Sequence, residues 1–87
     1  MDREHAEPFE VEVGYNGVLK RFEVKLTEFV KTLREQAIRV FGITQNVHLL
    51  ALFTPDNREL PDGDTLQSAG VHPKEKLNLR PSAVRGG

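Results

Sequence analysis

Cysteine and tryptophan are absent from this 87-residue sequence, and tyrosine and methionine occur once each. Without cysteine there is no disulfide, no thiolate metal site and no cysteine nucleophile. Long apolar runs are missing too. The longest, Leu49-Leu50-Ala51-Leu52-Phe53, suits a strand and falls far short of the roughly 20 residues that cross a bilayer. The first eight residues, Met1 to Pro8, are acidic and polar, unlike the basic-then-apolar layout of a secretory signal. A net charge of −1 gives no electrostatic footprint for nucleic acid or an anionic membrane. These absences point to a cytoplasmic protein that binds neither.

The charge that is present is unevenly placed. Asp2, Glu4, Glu7, Glu10 and Glu12 face Arg3 alone in the first twelve residues, whereas Lys74, Lys76, Arg80 and Arg85 face only Glu75 near the end. Hydrophobic residues make up 38% and charged residues 29%, the balance of one modest domain with a single core.

Patterning supplies the elements. Phe9, Val11 and Val13 alternate with Glu10 and Glu12, and Phe22, Val24 and Leu26 alternate with Arg21, Glu23 and Lys25. Period-2 alternation predicts two half-buried strands at about 9–14 and 18–26. Asn16-Gly17 between them is the strongest short-range hairpin signal. Val30, Leu33, Ala37 and Val40 recur at helical spacing, with Lys31, Arg34, Glu35 and Arg39 on the other side. Thr27 is the predicted N-cap and Gly42 the predicted C-terminal stop. Val47, Leu49, Ala51 and Phe53 predict a third strand, apolar on both sides. Glu59-Leu60 follows as a very short strand between turns, and Thr65–Gly70 reads as one helical turn. Leu77 and Leu79, alternating with Lys76, Asn78 and Arg80, form a last strand that Pro81 stops.

This order, with a hairpin, a helix and further strands, implies an α+β layer with the helix across one sheet face. It resembles the ubiquitin-like family. Gly42-Ile43 is similar to the pair that follows that family's helix. Leu60-x-Asp62-Gly63-x-Thr65-Leu66 is similar to the segment before its short helix, and Arg85-Gly86-Gly87 matches its terminus. The resemblance implies a β-grasp roll with a mixed sheet over residues 9–81, an acidic N-terminal segment 1–8 and a tail 82–87.

What the resemblance implies about function centres on the tail. Arg85, Gly86 and Gly87 would be the conjugation and activation residues. An E1-like enzyme adenylates the terminal carboxylate and passes it on as a thioester to target amines. An E2-like conjugating enzyme and a deconjugating protease are further expected partners of a monomer. Two alternatives stay open: a sulfur carrier ending in a thiocarboxylate, and a ubiquitin-like interaction module that never activates its tail. The family's strand order also implies a partner surface on the outer sheet face, formed by His48, Leu50, Leu52, Asn78 and Arg80. Ala51 and Phe53 would then face the helix. Leu52 would stand where the family has the central isoleucine of its recognition patch. Arg58 and Pro73 would replace its principal chain-linking lysines, so transfer as a single unit is expected.

Other chemistry finds little support. His5, His48 and His72 have no metal-ligand spacing. Asp56, Glu59, Asp62 and Asp64 lack the calcium-loop pattern and suit turns and caps. No glycine-rich phosphate loop follows a strand. The expectation is a protein that is not an enzyme and carries no metal or cofactor.

Overall fold

The computed structural model describes residues 8–82, and its first element is the hairpin that the alternation predicts. β1 (Phe9–Tyr15) and β2 (Val18–Val24) pair antiparallel, with Val11 opposite Phe22 and Tyr15 opposite Val18. Asn16 and Gly17 join them with φ of 52° and 82°. Two consecutive positive φ values define a type I′ turn, whose twist matches that of the flanking strands.

The helix α1 spans Val30–Phe41. Its C-terminus follows the expectation: Gly42 sits at φ 72°, and the Ile43 N–H donates to the Ile38 carbonyl at 3.1 Å, closing a Schellman turn. The N-terminus does not. Phe29, not Thr27, occupies the cap position, and it makes no side-chain cap bond. Backbone from a distant loop does that work. The Val30 N–H donates to the Asp64 carbonyl at 2.8 Å and the Lys31 N–H to the Asp62 carbonyl at 3.3 Å. Two of the four amides that a helix start leaves unpaired are thereby satisfied. The same loop is pinned from the helix side. Arg34 donates through Nε and Nη2 to the two oxygens of Asp62 at 2.9 and 2.8 Å, a bidentate charge-assisted pair. Leu66 and Gln67 add N–H donations to the carbonyls of Glu28 and Leu26. The Asp62-Gly63-x-Thr65-Leu66 segment is thus the start block of α1. Beyond it, Thr65–Gly70 forms one hydrogen-bonded turn, with the Ala69 N–H donating to the Thr65 carbonyl at 2.9 Å.

A single 3₁₀ turn, Val47–Leu49, precedes β3 (Leu50–Phe53), and β4 (Lys76–Pro81) is the last strand. The sheet order is β2-β1-β4-β3, with β1 and β4 parallel and β3 and β4 antiparallel. β4 is therefore central. Val11, Val13, Phe22, Val24, Leu77 and Leu79 from the sheet meet Val30, Leu33 and Ala37 from α1 in one core, completed by Leu60 and Leu66.

The register of β3 corrects the sequence reading. Leu52 lies opposite Leu79 and Leu50 opposite Pro81, and cross-strand partners share a face. Leu50 (6% exposed) and Leu52 (0%) belong to the core, while Ala51 and Phe53 take the outer face with Arg80 and Asn78. An all-apolar strand cannot announce its own facing. The 3₁₀ turn also breaks the alternation that would run from Val47 into the strand, so phase is set by pairing with β4. A slip of one residue exchanges every side chain between faces.

Candidate functional site

The outer face of the sheet is built from alternate positions of four strands. β1 contributes Glu10, Glu12 and Gly14, and β2 contributes Leu19, Arg21 and Glu23 through the pairs Gly14–Leu19, Glu12–Arg21 and Glu10–Glu23. β4 contributes Lys76, Asn78 and Arg80, all exposed. β3 contributes Ala51 and Phe53, which are buried although they point outward.

Polar side chains account for that burial. The Arg80 guanidinium carbon lies 4.1 Å from the centroid of the Phe53 ring, a cation–π contact. Arg80 Nη2 also donates to the side-chain carbonyl of Asn57. Asn57 sits at φ 71° in the turn after β3, and Thr54 organises that turn. The Thr54 hydroxyl donates to the Asp56 carboxylate and accepts from the Arg58 N–H at 3.0 Å. The bond from Thr54, helped by Asp56's own backbone N–H, holds the Asp56 carboxyl below its ordinary 3.8. Arg58 Nη1 reaches across to the Ala69 carbonyl at 3.2 Å, so the residue at the resemblance's lysine position serves the fold.

At the end of β4, Ser82 is tied down twice. Its N–H donates to the Leu49 carbonyl at 2.7 Å and its hydroxyl to the Glu59 carboxylate at 2.7 Å. Glu59 is itself bridged to Phe53, so the point where the chain leaves the sheet and the Arg80–Phe53 stack share one support.

Of the residues expected at a partner surface, Arg80 and Asn78 stand on the outer face. His48 is exposed but lies in the 3₁₀ turn, outside the strand that was to carry it. Leu50 and Leu52 are removed from the surface altogether, because their strand is phased the other way. Arg85, Gly86 and Gly87 lie outside the described residues. Sequence reasoning missed Phe53, Asn57, Glu59 and Leu19. Only Asn57 carried a signal, as an asparagine in a turn, and that signal concerns its backbone.

The acidic start and the basic end of the chain meet across β1 and β4 at one position. Glu12 lies opposite Lys76 on the outer face, but the pairing ends at Gly14 and Asn78. Arg80 is committed to Phe53 and Asn57, not to Glu10 or Glu12. Among the described residues no group of three or more His, Asp or Glu side chains is placed to hold a metal ion. No helix among them is long and apolar enough to cross a membrane.

No protein-family model matches the sequence, and no curated protein matches it. The likeness to known proteins is one of shape. A protein designed on the basis of ubiquitin superposes with a TM-score of 0.76 at 21% identity, over 92% of this chain and 95% of its own. The N-terminal ubiquitin-like domain of the 4931431F19Rik protein gives 0.74 at 18% identity, over 99% and 88%. Ubiquitin from Caldiarchaeum subterraneum gives 0.73 at 23% identity, over 93% and 100%. With the β2-β1-β4-β3 sheet and α1 packed on one side of it, the chain has the ubiquitin-like β-grasp fold.

Proposed function

We propose that this chain is a ubiquitin-like modifier, activated at the Gly87 carboxylate and joined to amines of target proteins. The observation that carries the proposal is the union of this fold with an Arg85-Gly86-Gly87 sequence just beyond the Ser82 anchor. Five residues follow Ser82, and a fully extended chain of that length reaches about 17 Å. A main-chain terminal carboxylate ordinarily titrates at about pH 3.5, so it is an anion at neutral pH. One of its oxygens attacks the α-phosphorus of ATP, pyrophosphate leaves, and an acyl-adenylate forms on an E1-like enzyme. A thiolate of that enzyme then displaces AMP to give the thioester, and a target amine displaces the thiolate. Glycine suits this role because it lacks a Cβ, so the backbone passes through a narrow channel. An E2-like conjugating enzyme and a deconjugating protease complete the cycle. The chain contributes its own terminus and a docking surface, not catalysis.

The interaction-module reading has one observation in its favour, the organised outer face around Arg80. Incubation with an adenylating enzyme, ATP and magnesium separates the two. A modifier with Gly87 terminal supports ATP–pyrophosphate exchange and forms a thioester, and Gly87→Ala or deletion of Gly87 abolishes both. Undiminished thioester from those variants would exclude the tail mechanism. A sulfur carrier would appear instead as a thiocarboxylate by mass spectrometry.

A further inference from the structure

An open groove of about 420 Å³ runs over the outer face between the β1–β2 turn and the end of β4. Its walls include Gly14, Val18, Leu19, Asn57, Asn78 and Arg80. The ends differ chemically. At the hairpin end Leu19 is 53% exposed and Val18 50%. Leu19 lies across Gly14, where a Cβ would sit only 3.1 Å from Leu19 Cδ2 and 3.5 Å from Asn78 Oδ1. Glycine at that position lets the leucine fold flat over the strand. At the other end stands Arg80, the only charged residue among the described residues that line the groove.

Arg80 is held as a rigid donor. Stacking on Phe53 and the bond to Asn57 fix its plane, and they engage one face of the guanidinium and one of its N–H groups. Among the described residues, the remaining N–H groups have no partner and no carboxylate lines the groove. The acidic residues of the adjoining turn are engaged elsewhere, Asp56 by the Thr54 hydroxyl and Glu59 by the Ser82 hydroxyl. An arginine pre-positioned by stacking loses less freedom when it binds, and its planar fork matches a carboxylate. The Asn78 side-chain amide, also unpaired among the described residues, supplies a neutral donor and acceptor midway.

We infer that this groove binds an acidic segment of a partner protein, with a carboxylate on Arg80 and an adjacent apolar side chain on Leu19. With Arg80 the only charged residue among the described residues that line the groove, the sign of the ligand is negative. The exposed leucine selects a peptide over a simple anion, because burying that side chain contributes only if the ligand has an apolar part. This gives chemistry to the docking surface in the reading above and does not depend on activation of Gly87.

The test uses the full chain and a short capped peptide carrying leucine beside glutamate, with its glutamine counterpart as the neutral probe. Titration followed by amide NMR shifts is expected to move residues 14–19, Asn57 and 78–81. The glutamine peptide, or Arg80→Gln in the protein, is expected to bind about tenfold more weakly, the scale of one lost charge-assisted pair. Leu19→Ala weakens both peptides alike. Gly87→Ala leaves binding unchanged, so failure here and failure of tail activation remain distinct. Equal affinity for the two peptides would overturn the inference, as would shifts confined to α1 or no binding at about 1 mM.

Discussion

The two faces of one strand, β4, teach different lessons. On the inner face Leu77 and Leu79 are buried against α1 and the other strands, and their burial follows from hydrophobicity alone. On the outer face Lys76, Asn78 and Arg80 are exposed, yet the neighbouring strand leaves Phe53 buried on the same side. Two kinds of burial coexist across one layer of backbone. The inner kind is dry and made by apolar side chains. The outer kind is made by the Arg80 guanidinium itself, stacked with one face on the Phe53 ring while the residue stays exposed on its other side. The inner face holds the fold, and the outer face carries the groove proposed above as a docking site.

The sharpest way to break the contrast is to exchange the two faces' expected sensitivities. Leu52→Ala strikes the core and is expected to lower stability by about 3 kcal/mol in urea denaturation, through lost transfer energy and the cavity left behind. A loss under about 1 kcal/mol would mean that Leu52 is not enclosed as the register places it.

The inner side also has a polar element, the Arg34–Asp62 pair, which tests whether that side depends only on apolar contact. Asp62→Ala strands a mostly buried guanidinium and is expected to cost about 2 kcal/mol, below the full cost of breaking a buried pair because Asp62 is partly solvated. Amide exchange at Val30 and Lys31 should rise along with the loss. Unchanged exchange there would show that the loop carbonyls hold the helix start without the pair.

The smallest effect belongs to the outer face. Arg80→Ala should change stability by only about 0.5 kcal/mol, the scale of an exposed cation–π contact. Thermal melts that instead fell as far as those of Leu52→Ala would remove the distinction between the two faces.

How much of this was legible in the sequence follows from the same contrast. Strands with clean alternation, Phe9 to Val13 and Lys76 to Arg80, disclosed both their type and their facing. The Asn16-Gly17 turn and the Gly42 stop were legible because each acts through its own backbone angle. Leu50-Ala51-Leu52-Phe53 disclosed a strand but not its facing, since every residue is apolar and the polar cover on Phe53 comes from β4. Pairing with Leu79, remote in sequence, decided the phase. Of the candidate surface, Arg80 and Asn78 stand where they were expected because their alternation with Leu77 and Leu79 fixes their facing, while the resemblance suggested their role. Phe53 and Glu59 were missed because their roles exist only once strands are side by side.

The helix start has a consequence for the order in which the chain folds. A 12-residue helix is marginal in isolation even with good caps, and α1 has a local signal at one end only. Its C-terminal glycine can close the last turn as soon as the segment is made. Its first turn waits for the carbonyls of Asp62 and Asp64, which arrive only when the second half of the chain has come back across the sheet. Nascent α1 therefore persists from its C-terminal end and unravels from Val30. The docking of the Leu60–Leu66 segment supplies the two carbonyls that close the Val30 end. A chain stopped before Asp62 would hold the whole of α1 in its sequence and still lack the groups that begin it.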